Sequence, residues 1–145
     1  MSTPLEDVRR ALEAIVSASW VSDKQTDRIA YSRDQSPRSL IRLRKGKHEP
    51  LPDFIVWPSS PSEVAAVLAY CTAHKIPVCS MGGGTASTGA AAPLYGGVVL
   101  DLKRLDQIRW IDREDGIAEV EAGILGLYLE ERLQREGLTL GHFPT

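Results

Sequence analysis

The sequence has no surplus of positive charge, no long apolar run and almost no cysteine, and each shortage removes a class of function. Its 17 Lys+Arg against 19 Asp+Glu leave a net charge of −2. That gives no electrostatic footprint for nucleic acid, and no run of Lys or Arg is flanked by stacking aromatics. No stretch approaches the ~20 apolar residues of a membrane span, and the start Met1-Ser2-Thr3-Pro4-Leu5-Glu6-Asp7 lacks a basic region leading into an apolar core. A cytoplasmic protein without a membrane span or a nucleic-acid partner is expected. The 2 cysteines, Cys71 and Cys79, lack C-x-x-C spacing. They read as packing residues, one on a helix and one in a buried strand, rather than as a disulfide. No metal site is expected.

What is present is an ordinary globular composition, 43% hydrophobic and 25% charged, over 145 residues. A chain of that size can bury roughly 68–70% of its unfolded surface. Its most distinctive stretch runs from Ile76-Pro77-Val78-Cys79 through Ser80, Met81, Gly82, Gly83, Gly84, Thr85, Ala86, Ser87, Thr88 and Gly89. Successive glycines after a short apolar run remove the Cβ atoms that would keep a ligand from the backbone. Such a turn makes a nest of N–H donors, and the hydroxyls of Thr85, Ser87 and Thr88 add to it. With no Lys or Arg in the loop, recognition of a phosphate or pyrophosphate would rest on dipoles rather than on formal charge.

Spacing separates the glycine-loop chemistries. A nucleoside-triphosphatase loop needs Lys and Ser/Thr after its last Gly, and Gly84 is followed by Thr85-Ala86, so that reading fails. A dinucleotide fold wants G-x-G-x-x-G opening a helix; counting from Gly82 puts Ser87 at the third glycine, and Pro93 interrupts the helix. Asp101 could imitate its ribose carboxylate, which keeps that reading in view. An ordinary glycine-rich turn is the plain alternative.

Taken in order, Thr3-Pro4-Leu5-Glu6 reads as a capped helix start. Leu5, Val8, Leu12, Ile15 and Val16 form one face to about Ala18. Residues 21–51 are rich in charge and turn formers and read as irregular. Within them Arg28 and Tyr31 would either face a cofactor or tie down carbonyls and carboxylates. The run Arg38, Arg42, Arg44, Lys45, Lys47 reads as a solvated face or as a patch for an anionic substrate or membrane phosphates. Phe54-Ile55-Val56-Trp57 is a short buried strand stopped by Pro58. Ser60-Pro61-Ser62-Glu63 opens a helix with Val64, Val67, Leu68 and Cys71 on one face, ending near His74, which would satisfy the helix carbonyls. Pro77 to Ser80 is the next strand, parallel to the first by a right-handed crossover. Val98 to Leu102 is the third. Residues 108–112 and 117–121 flank a turn and read as an antiparallel hairpin, and a helix from Leu125 to Glu136 closes at Gly137.

Several of these segments together resemble a known family. Gly82-Gly83-Gly84-Thr85, Val98-Val99-Leu100-Asp101-Leu102, Val120-Glu121-Ala122-Gly123 and Gly141-His142-Phe143-Pro144 are similar, in that order, to the FAD-binding domain shared by vanillyl-alcohol oxidase, p-cresol methylhydroxylase, glycolate oxidase and D-lactate dehydrogenase. Pro52-Asp53-Phe54-Ile55-Val56-Trp57-Pro58 and Ile108-Arg109-Trp110-Ile111-Asp112 resemble the alkylglycerone-phosphate synthase branch of that superfamily.

The resemblance implies an α+β fold, the N-terminal part of a p-cresol methylhydroxylase-type domain. A small parallel β-α-β subdomain would be followed by the start of an antiparallel sheet with helices. Residues 1–51 would be a lead-in and residues 52–145 the FAD-binding part, truncated at its C-terminal end relative to the family. It further implies FAD held at Ser80 to Gly89, with Pro144 and Thr145 starting a second cofactor segment, and Trp57 and Pro58 shaping the adenine side. His142 is a candidate for touching the flavin. Some relatives attach flavin through a His in the glycine loop; Thr85 stands there here, so non-covalent FAD is expected. The whole enzyme would be an FAD-dependent oxidoreductase acting on a hydroxy acid or related CH–OH substrate. The alternatives are flavin-dependent alkyl transfer in ether-lipid synthesis, or a folded but inactive module that self-associates through exposed apolar surface.

Overall fold

The structure, a computed structural model, describes residues 4–47 and 49–142. Helix α1 spans Pro4–Val16 and buries Leu12 and Val16, with Val8 and Ile15 packed beside them, while Leu5 stays exposed. The expected cap Thr3 lies outside the described residues. A 3-10 turn, Ala18–Trp20, leads into strand β1, Val21–Ser22. Helices α2, Gln25–Ala30, and α3, Pro37–Arg44, follow. Residues 21–51 are therefore not irregular, as the sequence reading had them. Elements of 6 and 8 residues are too short to show an apolar period, and the one local signal is the Ser36-Pro37 start, where Ser36 Oγ accepts from Ser39 N–H at 3.3 Å.

Strand β2, Phe54–Val56, leads to helix α4, Pro61–Ala73, and then to β3, Val78–Met81, and β4, Val98–Asp101. The cap of α4 forms: Ser60 Oγ accepts from Glu63 N–H at 3.2 Å, and the Glu63 carboxylate reaches back to Ser59 N–H at 2.7 Å. Its buried stripe is Val67 and Cys71 with Val64 alongside; Leu68, expected on that face, is 41% exposed, because only a narrow stripe of the helix meets the sheet. At the other end His74 Nδ1 donates to the Tyr70 carbonyl at 2.9 Å, the carbonyl-satisfying role expected of it.

The strands form one four-stranded sheet in the order β1-β2-β4-β3. The crossover does make β2 and β3 parallel, but β4 lies between them and pairs in parallel with both. Val98, Val99, Leu100 and Asp101 are all buried, which suits a central strand covered on both faces. β3 is left at the edge, so Cys79 is half-buried rather than in the core.

Alternation along the strands sorts the two faces. Phe54, Val56, Val98 and Leu100 point to α1 and α4, together with Leu12, Val16, Val67 and Cys71. Ile55 and Val99 point the other way, onto Met81 and Ala91, with Tyr31, Trp57 and Ala86 packed against them. Helices thus cover one face and the loop after β3 covers the other. Beyond this sheet, β5, Ile108–Asp112, and β6, Ile117–Val120, form the expected antiparallel hairpin, and helix α5, Gly126–Arg135, buries Leu129 and Leu133. Among the described residues no helix is long and apolar enough to cross a membrane.

Candidate functional site

β3 delivers the chain at the carboxyl end of the three parallel strands directly into the loop from Gly82 to Gly89, the end of an open α/β sheet where ligands bind; β1 pairs antiparallel with β2 at the far edge. Ser80, Gly83, Thr85, Ser87 and Thr88 are exposed, Gly82, Gly84, Ala86 and Gly89 half-buried, and Met81 buried. Of the predicted residues from Ser80 to Gly89, all but Met81 therefore reach the surface. Pro144 and Thr145 lie outside the described residues, and His142 is exposed.

The glycines of the loop do not all serve the same purpose. Gly84 has φ +71°, a left-handed conformation that favours glycine. Gly82 and Gly83 have no such need: a Cβ on Gly82 would come no closer than 3.6 Å to the Ala122 carbonyl, and one on Gly83 no closer than 3.5 Å to Leu125 and Thr85 side chains. Elsewhere glycine is explained by crossing backbones, as at Gly123, where a Cβ would lie 1.6 Å from the Leu102 carbonyl. The bare backbone at Gly82 and Gly83 is not demanded by the fold.

Hydrogen bonding orients this backbone. Among the described residues, none of the amide N–H groups of Gly82, Gly83, Gly84 and Thr85 donates to a protein acceptor. The loop is instead held by its carbonyls: Met81 accepts from Leu102 N–H at 2.9 Å and Ala86 from Gln35 N–H at 3.0 Å. Asp34, 1% exposed, accepts from Ser36 N–H at 3.0 Å, while its Oδ2 makes no hydrogen bond; the amides of Gly89 and Ala91 lie near the carboxylate. Burial pushes its carboxyl up, but the N–H and hydroxyl of Ser36 and those two amides outweigh it, so its pKa falls below the ordinary 3.8. The loop is anchored through its carbonyls at both ends, which leaves the four amides of Gly82 to Thr85 without a protein acceptor among the described residues, the arrangement an anion-binding nest requires.

A polar cluster that sequence reasoning missed lies beneath the loop. Asp101, fully buried at the end of β4, accepts from the Tyr31 hydroxyl, from Trp57 Nε1 at 2.9 Å and from Lys103 Nζ at 2.7 Å. Tyr31 and Trp57 meet edge to face, ring centres 5.9 Å apart. Lys103, ion-paired with Asp101, places its ammonium next to the loop, 3.5 Å from the Gly82 carbonyl. Burial pulls its ammonium down, but the hydrogen bond and charge of Asp101 outweigh that, so its pKa lies above 10.5. Burial, then the bond to Asp101, raises the Tyr31 phenol and keeps it protonated.

Of the two roles left open for Arg28 and Tyr31, the geometry matches the tying one: Arg28 Nε donates to the Pro52 carbonyl at 2.6 Å, and Tyr31 holds Asp101. Two members of the basic run, Arg38 and Arg42, lie 3.6 and 3.3 Å from the buried Glu49 carboxylate. A cleft of about 490 Å³ between the start of α4 and the β5–β6 hairpin adjoins the loop through Ala122, although no loop residue lines it. No group of His, Cys, Asp and Glu among the described residues is arranged to hold a metal ion.

Residues 52–145 match the model of a family described as FAD binding domain. The alkyldihydroxyacetonephosphate synthase of Dictyostelium discoideum is 33% identical over 138 residues, covering 93% of this chain and 23% of that protein. Glycolate oxidase subunit GlcD of Bacillus subtilis (strain 168) is 29% identical over 133 residues, covering 92% and 26%. Among solved structures, an alkyldihydroxyacetonephosphate synthase superposes with a TM-score of 0.84 at 32% identity, covering 98% of this chain and 26% of that one. p-Cresol methylhydroxylase with substrate bound gives 0.75 at 25% identity, covering 92% and 25%. The expected α+β architecture of the p-cresol methylhydroxylase type is thereby found. This chain spans about a quarter of the length of each of these proteins.

Proposed function

Because this chain belongs to the FAD binding domain family, we propose that its loop from Ser80 to Gly89 holds the pyrophosphate of FAD, with the amides of Gly82, Gly83, Gly84 and Thr85 as principal donors. The observation that carries this is the pair Gly82 and Gly83, glycine where neither φ nor packing requires it, with amides that meet no protein acceptor among the described residues. A phosphate oxygen can approach such a backbone closely, and each charge-assisted bond contributes roughly 1.5–3 kcal/mol. Residues 52–145 are the cofactor-binding part and residues 1–51 its lead-in, a division supported by where the family match begins. Pro144 and Thr145 start a second cofactor segment in this reading.

FAD is held without a covalent link, since Thr85 occupies the loop position where some relatives carry His. When bound, the flavin supplies two-electron redox chemistry; this chain supplies the grip and orientation. The full-length protein is an FAD-dependent oxidoreductase of a hydroxy acid or related CH–OH substrate, a reading supported by the similarity to glycolate oxidase subunit GlcD; a cytoplasmic location belongs to the same proposal. A second reading, flavin-dependent alkyl transfer without net oxidation, is supported by the similarity to alkyldihydroxyacetonephosphate synthases in sequence and fold. In isolation the chain is inactive, and exposed Trp110, Ile117, Leu127 and Tyr128 favour self-association.

Calorimetric titration with FAD, of the wild type beside Gly83→Val, tests the cofactor site. A Cβ at Gly83 meets only the ends of the Leu125 and Thr85 side chains, each at 3.5 Å, and these can turn aside for the valine methyls, so the variant should stay folded, checked by circular dichroism, and lose binding. Equal affinity in both would place the cofactor elsewhere.

A further inference from the structure

The Asp101–Lys103 pair at the exit of β4 has no assigned role in the cofactor reading, yet it reaches the loop. Lys103 Nζ lies 2.7 Å from Asp101 Oδ2, 3.4 Å from the Tyr31 hydroxyl oxygen and 3.5 Å from the Gly82 carbonyl oxygen. An ammonium has three protons, and these three oxygens account for them. Its position is fixed from below. Asp101 is fully buried and also accepts from the Tyr31 hydroxyl, Trp57 Nε1 and the Lys103 backbone N–H. The Lys103 backbone is pinned through that N–H at 2.9 Å, and the neighbouring Arg104 donates to the Trp57 carbonyl at 2.7 Å. The lysine head is thus the upper end of a packed polar column.

A peptide unit is planar and trans, with C=O and N–H pointing opposite ways, and no cis peptide bond occurs here. The Gly82 carbonyl turned down toward Lys103 therefore turns the Gly83 N–H up, away from the core. Two adjacent residues without side chains hold that peptide plane weakly by themselves, since glycine backbone rotates readily.

We propose that Lys103, seated by Asp101 and Tyr31, is a positioning residue that clamps the Gly82 carbonyl and so aims the Gly83 amide at phosphate, a role that rests on the loop holding the FAD pyrophosphate. The column substitutes for the missing side chains at Gly82 and Gly83.

The test uses the 145-residue chain labelled with nitrogen-15, as wild type, Lys103→Met, Lys103→Arg and the double variant Asp101→Asn with Lys103→Met. Without ligand, Lys103→Met should shift or broaden the Gly82 and Gly83 amide resonances, and calorimetry should show FAD affinity lower by about tenfold, one charge-assisted bond. Lys103→Arg should restore most of both. The double variant removes the charges in balance, so it should keep the fold if the single change loses it, and still bind FAD weakly. A folded Lys103→Met or double variant with unmoved glycine resonances, or with wild-type affinity, overturns the clamp while the FAD site stands. A folded wild type that binds no FAD overturns the cofactor reading, and the glycine resonances alone then decide whether Lys103 holds the loop.

Discussion

Replacing Gly123 by Ala places a methyl group where two backbones already touch. The new Cβ would lie 1.6 Å from the Leu102 carbonyl oxygen, 2.2 Å from its carbon and 2.8 Å from Lys103 Cα. All three are backbone atoms, so no side chain can swing aside. Reaching an ordinary contact of 3.4 Å means moving the end of the β5–β6 hairpin from the exit of β4. That movement breaks the bond from Gly123 N–H to the Leu105 carbonyl, 2.9 Å. Overpacking costs about 1–3 kcal/mol and the lost bond about 0.5–1.5 kcal/mol. A backbone clash belongs at the upper end, so about 3–4 kcal/mol is expected. At roughly 3 °C per kcal/mol for a chain of this size, Tm should fall by about 10 °C in a far-ultraviolet circular dichroism melt. Gly116→Ala is the control: its φ of +66° is left-handed but nothing lies within 4 Å, so only the conformational cost of about 1–2 kcal/mol applies. If Gly123→Ala melts within about 2 °C of the wild type, the crossing of Gly123 over Leu102 is wrong, and with it the placement of Lys103.

Asp34→Asn should destabilise the protein at pH 7 by about 2 kcal/mol, the loss of hydrogen bonds to a charged acceptor. Because the folded pKa of Asp34 lies below 3.8, its contribution is full above that value and disappears as pH falls through the folded pKa. The wild type should therefore lose its advantage over the variant below about pH 4 in urea titrations; a constant difference down to pH 2 would contradict the amide contacts. Acid precipitation of FAD-loaded protein should release all the flavin and leave a colourless pellet, since Thr85 offers no ring nitrogen for a covalent link; flavin retained in the pellet would refute this. Ser60→Ala should cost about 1 kcal/mol through the cap of α4, read as a lower urea midpoint with an unchanged slope.

Local chemistry was legible in the sequence wherever one short segment carries it. Ser60 and Glu63 announced the start of α4, Gly137 the end of α5, and Val98 to Leu102 a strand, because capping and apolar runs act within a few residues. The glycine loop was legible for the same reason. The central place of β4 was not, because pairing order depends on which strand can be covered on both faces, and that is decided by helices and loops far along the chain. The column under the loop was hidden more deeply still. Tyr31, Trp57, Asp101 and Lys103 are separated by up to 72 positions, and each alone is an ordinary polar or aromatic residue. Lys103 in particular lies outside the glycine run, so a search of the loop for cations misses it. α2 and α3 escaped because they are too short to repeat an apolar face.

A titration of the nitrogen-15-labelled chain with FAD, following every backbone amide, tests the cofactor site most directly. Saturable shifts should be largest at Gly82, Gly83, Gly84 and Thr85, whose amides meet no other acceptor among the described residues. Saturable shifts confined to the cleft between α4 and the β5–β6 hairpin, or no shifts in a folded chain, would contradict the assignment of the loop to the pyrophosphate.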